Sequence, residues 1–138
     1  MENRREVFAL MGAAVMAAAA SPAAAKVKDA VLPTAKSELT HHPFGDLRVY
    51  YTGATEQLQA FESGSLRLNP GASPHPPHQH PEEEILIVAE GSGEIVLDGK
   101  LSQCDAGSIM FCKANVPHGI ENTGKSPLLF YYVKWKCA

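Results

Sequence analysis

Short runs of apolar and β-branched residues alternate with turn residues along most of the chain. They occupy residues 47–52, 58–61, 65–68, 85–88, 94–97, 108–112 and 128–135. Closely spaced short strands separated by turns are typical of a β-sandwich or a β-barrel. Helical periodicity occurs only within the first 25 residues. We therefore predict an all-β fold with a single domain and no long helix after residue 25.

The turn residues refine this picture at two places. Asp98 and Gly99 follow the fifth run, and an Asp-Gly pair supplies the two positive φ angles of a tight hairpin turn. The strands on either side of this pair are therefore predicted to be antiparallel neighbours. Residues 26–45 contain prolines and no clear period, so we predict a lead-in segment over the barrel surface. The barrel domain is predicted to span residues 46–138.

The first 25 residues have the layout of an export signal. Arg4 and Arg5 precede an uncharged stretch, residues 7–20, and a run of small residues, 23–25, follows it. This order describes a secretory signal, and the adjacent arginines resemble those of a twin-arginine signal. An uncleaved membrane anchor is the alternative, but the uncharged stretch is shorter than the roughly 20 residues that span a bilayer. We predict a signal peptide over residues 1–25 and a periplasmic or otherwise exported protein.

The composition narrows the class of partner. The chain has 138 residues, of which 45% are hydrophobic and 20% charged, and its formal net charge is -3. This composition is that of one globular domain. No cluster of lysine or arginine follows the first 25 residues, so a nucleic-acid partner, which needs a basic surface, is not expected. After removal of the signal, no membrane contact is expected either.

Metal-binding residue types are concentrated in one segment of the chain. His78, His80 and Glu84 are separated by even numbers of positions. On an extended strand such residues project from the same face, so two imidazoles and one carboxylate converge. These ligands suit Mn, Fe, Co, Ni, Cu or Zn, whereas a closed structural zinc site commonly uses thiolates. The sequence therefore indicates a site for a divalent transition-metal ion.

Two segments of the chain resemble the paired motifs of the cupin superfamily. The first motif has the order His-x-His, three residues, Glu, six residues and Gly, which is matched by His78, His80, Glu84 and Gly91. In the second motif a Gly is followed eleven positions later by His and four further on by Asn, which is matched by Gly107, His118 and Asn122. The resemblance covers about residues 58–135.

The resemblance implies a cupin-type double-stranded β-helix, or jelly-roll barrel, as the fold. It also implies that His118 joins His78, His80 and Glu84 around one divalent metal ion. We expect Mn or Fe, because a twin-arginine substrate folds before export and acquires its ion in the cytoplasm, where Cu and Zn are less freely available. Zn, Ni, Cu and Co are the alternatives.

A cupin metal site of this kind implies a metal-dependent enzyme that acts on a small chelating molecule. A dioxygenase is expected first, and an isomerase or a lyase is the alternative chemistry. Glu82 shares the parity of Glu84 and is the nearest candidate for a catalytic base; it is also placed to accept a hydrogen bond from an imidazole N–H. The competing hypothesis is a non-catalytic protein that binds a small ligand or metal ions.

Other residues whose side chains could bind a ligand are expected to have structural roles instead. His75 is expected to be an exposed loop residue. The aromatic side chains of the last run are expected to fill the sheet rather than to bind a substrate: Tyr131, Tyr132 and Trp135. The same apolar run, residues 128–135, is expected to cover a sheet edge in a homodimer.

The three cysteines do not form a recognisable framework. Cys104 and Cys112 lie in apolar segments and are expected to be buried as small hydrophobic residues. With Cys137 they make an odd number, so at least one thiol is left without a partner in the chain. Their spacing fits no CxxC pattern, which excludes the common zinc and redox motifs.

Overall fold

The computed structural model describes residues 25–138. Residues 1–24, which hold nearly all of the predicted signal peptide, lie outside the described part of the chain. Within residues 25–138 there are nine strands and one short 3-10 helix, Thr34–Lys36. The strands are β1 (Glu38–His42), β2 (Gly45–Gly53), β3 (Leu58–Leu68), β4 (Glu83–Glu90), β5 (Ser92–Leu97), β6 (Lys100–Asp105), β7 (Ile109–Cys112), β8 (His118–Glu121) and β9 (Leu128–Cys137).

The strands form two antiparallel sheets. The larger sheet has the order β1-β2-β3-β9-β4-β7, and the smaller has the order β6-β5-β8. Buried side chains from both sheets form a single core cluster between them, as in a jelly-roll barrel. The predicted all-β, single-domain fold is confirmed. No helix among residues 25–138 is long and apolar enough to cross a membrane.

The predicted runs lie within observed strands, but the strands are longer and more numerous. Runs 58–61 and 65–68 belong to one strand, β3, because the residues between them continue the ladder with β9. Asp98 and Gly99 have φ angles of 49° and 77° and connect β5 to β6, as the hairpin prediction requires. β1, β6 and β8 have no counterpart among the predicted runs, although the hairpin prediction implied a strand at β6. β1 lies inside the predicted lead-in segment and pairs with β2.

The inward faces of β3, β9, β4 and β7 carry rows of side chains that run across the larger sheet. Because side chains alternate along a strand, residues paired in register share a face. What we call the apolar row consists of Leu66, Phe130 and Val88. The next row towards one end consists of Gly64, Tyr132, Leu86 and Met110, and the last, which we call the polar row, consists of Glu62, Lys134, Glu84 and Cys112.

Two residues without large apolar side chains fix the packing of these rows. Gly64 pairs with Tyr132, and a Cβ atom at position 64 would lie 2.6 Å from the tyrosine Oη. Glycine therefore makes room for the phenol ring. At the opposite end of the barrel, the buried Asn122 donates hydrogen bonds to the carbonyls of Leu68 and Ser126. This asparagine of the second motif thus stabilises the fold, since a buried amide must be hydrogen-bonded.

Candidate metal centre

Three histidines converge at the end of the barrel that carries the polar row. His78 and His80 lie in the loop between β3 and β4, and His118 begins β8. One ring nitrogen from each lies within 4.8 Å of the others. Glu84 reaches the same place from β4, with its Oε2 2.9 Å from Nε2 of His80 and 3.1 Å from Nε2 of His118. The four residues predicted to be ligands are therefore neighbours in space.

The backbone, rather than a continuous strand, brings the two loop histidines to His118. The amide of His78 donates to the carbonyl of His118 at 2.9 Å, and the amide of His118 donates back at 2.8 Å. The amide of Asn115, with a left-handed φ of 61°, donates to the carbonyl of His80 at 2.8 Å. The even-spacing argument is therefore wrong in its premise, because β4 begins only at Glu83.

The second ring nitrogens of two histidines are hydrogen-bonded to acceptors outside the cluster. Nδ1 of His118 lies 2.9 Å from the carbonyl of Val116. Nδ1 of His80 lies 3.2 Å from both the carbonyl and the carboxylate of Glu82. Since a carbonyl oxygen only accepts, each Nδ1 carries the hydrogen and each Nε2 presents a lone pair. The buried thiol of Cys112 lies 3.3 Å from Nδ1 of His118 and packs behind it.

In the resulting arrangement, hydrogen-bond acceptors of His80, His118 and Glu84 face one another. Two Nε2 lone pairs and the Oε2 of Glu84 occupy a space where they repel unless a proton or a metal cation lies between them. The hydrogen bond with Glu84 raises the pKa of His118 in spite of burial. Burial would raise the pKa of Glu84, but hydrogen bonds to His118 and His80 bring it below its usual value. The site therefore favours positive charge between these groups.

The third histidine is electrostatically different. Burial and the neighbouring imidazoles of His75, His118 and His80 lower the pKa of His78 to about 4. His78 is thus a neutral imidazole at physiological pH, which is the form that binds a metal ion. Three imidazole nitrogens beside one carboxylate oxygen form a donor set that fits a divalent transition-metal ion.

The cluster opens into a cavity of about 280 Å³ inside the barrel. Six apolar side chains line this cavity: Leu47, Leu66, Leu86, Met110, Ile120 and Phe130. Three further lining residues carry polar groups: Glu62, Tyr132 and Lys134. Sequence reasoning missed the first and last of these and assigned Tyr132 to sheet filling. The available signal was parity, since Phe130, Tyr132 and Lys134 share the inward face of β9.

Glu82 and His75 each contact one histidine of the cluster, but in different ways. Glu82 contacts Nδ1 of His80, as expected for an acceptor of an imidazole N–H, and borders an adjoining depression that shares Glu62 and Lys134 with the cavity. His75 is exposed, as predicted, but its ring stacks on His78 with centroids 3.7 Å apart. It therefore lines the mouth of the cavity.

The cysteines of the described residues are all free thiols. Cys104 and Cys112 are buried, which confirms the prediction, and Cys137 is exposed. Burial raises the pKa of both buried thiols. At neutral pH they are therefore protonated and behave as small apolar side chains.

The fold agrees with comparisons to known proteins. The cupin domain family matches residues 64–134, about half of the chain. An RmlC-like cupin from Shewanella frigidimarina superposes with a TM-score of 0.65 at 16% identity, over 80% of this chain and 93% of the other. KdgF from a Halomonas species gives a TM-score of 0.64 at 16% identity, over 78% of this chain and 94% of the other.

A third solved structure extends the likeness. A predicted oxalate decarboxylase from Thermotoga maritima superposes with a TM-score of 0.59 at 24% identity, over 78% of this chain and 99% of that one. At these identities the structural likenesses establish the fold alone. Since the family match spans half of the sequence and the barrel is shared, this chain is a single-domain member of the cupin family.

Proposed function

We propose that this protein is a metal-dependent enzyme that acts on a small molecule able to chelate the ion. Dioxygenation is the reaction we propose first, and isomerisation or elimination is the alternative. The observation that carries the proposal is the convergence of two imidazole lone pairs and one carboxylate oxygen at the wall of the barrel cavity. Acceptors in such an arrangement call for a cation.

His78, His80, Glu84 and His118 would hold the ion, with Mn or Fe favoured over Zn, Ni, Cu and Co. When bound, it supplies Lewis-acid activation of a chelated substrate and, for Mn or Fe, redox chemistry with dioxygen. A mixed set of imidazole and carboxylate ligands that leaves open positions is typical of non-haem iron oxygenases. This resemblance in donor type is the reason for placing dioxygenation first.

The remaining residues of the site act on the ligands and on the substrate. Val116 and Glu82 hold the Nδ1 hydrogens of His118 and His80, which keeps both Nε2 lone pairs directed inward. The apolar side chains that line the cavity disfavour water there, which strengthens the electrostatic interactions of a bound substrate. Glu82 lies behind His80 rather than in the cavity, so we propose an orienting role for it instead of that of a catalytic base.

Metal analysis and turnover test this proposal together. Protein purified from its native compartment is expected to contain about one Mn or Fe per chain. The loaded protein is then assayed for oxygen uptake and product formation with a panel of small hydroxy and oxo acids. His118→Ala is expected to abolish both the metal content and the turnover. His41→Ala alters an exposed histidine that pairs with Asp46, and it is expected to change neither quantity. A loaded protein inactive on the whole panel would count against an enzyme.

A non-catalytic binding protein is the second candidate, and one observation favours it. Glu82 is engaged by Nδ1 of His80, and Glu62 lies two strands away from Glu84, so neither of the other carboxylates stands beside the metal ligands. An enzyme that removes a proton needs a base within reach of its substrate. A single metabolite that binds tightly to the metal-loaded protein and is released unchanged would support this candidate.

The setting of the protein is also part of the proposal. The expectation that residues 128–135 cover a sheet edge is wrong, because β9 lies between β3 and β4 inside the larger sheet. We propose an exported, periplasmic protein that forms a homodimer through the outer face of β7, β4 and β9. That face carries four exposed large apolar side chains: Ile87, Ile109, Phe111 and Tyr131. Sedimentation of the chain without residues 1–25 tests the dimer, and Phe111→Lys is expected to yield monomers because it places charge in the apolar face.

A further inference from the structure

A second group of polar side chains lies inside the cavity, apart from the histidines. Tyr132 donates its hydroxyl hydrogen to Oε1 of Glu62 at 2.9 Å. The ammonium of Lys134 lies 3.2 Å from the same oxygen. All three side chains line the cavity, and Glu62 and Lys134 are partly buried. A hydrogen bond from Tyr132 and an ion pair with Lys134, two positions further along β9, therefore hold one carboxylate of β3.

The arrangement leaves one oxygen of Glu62 available. Both contacts end on Oε1, and within residues 25–138 no hydrogen bond is made by Oε2. Gly64 makes room for the tyrosine ring that aims its hydroxyl at this carboxylate. Burial and the hydrogen bond to Glu62 raise the pKa of Tyr132, so its phenol stays a neutral donor. Glu62 lies where the cavity meets an adjoining depression, so Oε2 is an acceptor left to water or to a ligand.

The distance between this group and the histidine cluster sets the size of a ligand that reaches both. Glu62 and Glu84 pair with opposite sides of Lys134, so they lie two strands apart on the same face. Two strand spacings place their Cα atoms about 10 Å apart, and side chains shorten the gap between their polar ends. An extended chain of about five carbons spans such a gap and fits the cavity.

We propose that Glu62 is a second recognition point of the cavity and accepts a hydrogen bond from a hydroxyl group at the far end of a chelating ligand. The inference rests on the proposed function, because it requires a metal ion to hold the near end. Tyr132 and Lys134 position the carboxylate. The ligand class is a small hydroxy acid with a second hydroxyl group about three carbons from the chelating end.

The charges of the group decide between a hydroxyl and a second carboxylate at the far end. The positive charge of Lys134 is offset by Glu62, so the pair is neutral as a whole. A ligand carboxylate placed beside Glu62 would be repelled by it. A hydroxyl donates to Oε2 and gains a charge-assisted hydrogen bond, which is stronger than a bond between neutral groups.

Three five-carbon acids that differ only at the far end test this recognition. They are 2-hydroxypentanoate, 2,5-dihydroxypentanoate and 2-hydroxyglutarate, which end in a methyl, a hydroxyl and a carboxylate. The protein without residues 1–25 is loaded with Co(II), and the visible spectrum of the ion reports the binding of each acid. We expect the dihydroxy acid to bind about tenfold more tightly than 2-hydroxypentanoate, and 2-hydroxyglutarate to bind most weakly.

Substitution of the carboxylate should invert part of this order. Glu62→Leu removes the acceptor and leaves Lys134 unpaired, so the first two acids should bind equally and 2-hydroxyglutarate should bind most tightly. A purely structural role for Glu62 would weaken all three acids alike. Glu90→Gln is the matched control, because Glu90 makes an exposed ion pair with Arg67 on the same sheet outside the cavity; it should leave the order unchanged.

The positioning residues provide a second set of variants. Tyr132→Phe should reduce the preference for the dihydroxy acid, and Lys134→Arg should retain it, since a guanidinium also donates to Oε1. If Glu62→Leu does not fold, Tyr132→Phe and the order of the three acids on the unaltered protein decide. Equal binding of all three acids by the unaltered protein overturns the inference and leaves the proposed function standing. A Co(II) spectrum that responds to none of them overturns the proposed function, and the inference with it.

Discussion

The apolar row and the polar row share three strands, β3, β9 and β4, and lie about 13 Å apart along them. Both are held by the same antiparallel ladder, and both face the interior of the barrel. Leu66, Phe130 and Val88 are buried and stabilise the fold by their removal from water. Glu62, Lys134 and Glu84 contribute little net stability but carry charge into the cavity. The comparison shows that, along each of these strands, the hydrophobic core and the candidate site are only four residues apart.

The largest effect is expected where the apolar row is broken. Phe130→Ala should lower the free energy of unfolding by about 3–5 kcal/mol, because the ring is buried and its loss leaves a void. Urea denaturation measures the change. The matched control is Phe111→Ala on the outer face, where the ring is 50% exposed and the cost should stay below about 1 kcal/mol. Equal costs would mean that the inward row is not the core.

The next largest effect concerns the metal cluster beside the polar row. His118→Ala should weaken divalent-metal binding by more than the roughly 100-fold lost when an outer contact of a ligand is removed. Calorimetric titration of the metal-free protein with Mn(II) or Co(II) measures it, with His41→Ala as the surface control. Unchanged affinity in the His118 variant would remove this residue from the site.

Protons should compete with the metal at the same place. The raised pKa of His118 means that, below it, a proton must leave before an ion binds. Affinity should therefore fall as pH falls, by about tenfold per pH unit for each proton released. His78, with a pKa of about 4, adds nothing to this above pH 5. Titrations from pH 5.5 to 8 test the sign, and a flat profile would contradict it.

A smaller effect on metal affinity is expected from Glu82, which contacts a ligand but does not bind the ion. Glu82→Gln removes a carboxylate from Nδ1 of His80, but the backbone carbonyl of the same residue remains as an acceptor. Metal affinity should drop about tenfold, at the low end for an outer contact. Glu83→Gln provides the neighbouring control. A loss as large as that of His118→Ala would show that residue 82 binds the ion directly.

The smallest effect closes the comparison. Replacing the pair together with its tyrosine partner, by Glu62→Leu, Lys134→Met and Tyr132→Phe, should change the free energy of unfolding by no more than about 1 kcal/mol, because the pair is partly exposed and no buried hydroxyl is left unpaired. Thermal and urea denaturation measure it against Phe130→Ala. A loss comparable to that of the apolar row would mean that the polar row serves stability rather than binding.

Much of the barrel follows from the sequence, because inward and outward side chains alternate along its strands. β8 escapes this reasoning, since it is four residues long and begins with His118 and Gly119 rather than with an apolar run. β1 escapes it because its residues are mostly exposed and polar. The cluster of His78, His80 and His118 was predictable from motif spacing, although not from the strand geometry first invoked for it.

The second half of the cavity is different, because it depends on register. Glu62 and Lys134 meet only because β3 and β9 pair with these residues opposite each other. A slip of one position would turn the partner side chain to the outer face. Which strands pair, and in what register, is decided by the whole barrel. From the sequence alone, one can predict only that Lys134 shares the inward face of its strand with Phe130 and Tyr132.

The reciprocal amide bonds between His78 and His118 have a consequence for affinity. They anchor the loop that bears two of the imidazoles by contacts among peptide groups, none of which involves a ligand nitrogen. The loss of conformational entropy in ordering that loop is therefore incurred when the chain folds. A cation entering such a preorganised cage meets no further entropic penalty from the loop, so its binding strength reflects the donors alone.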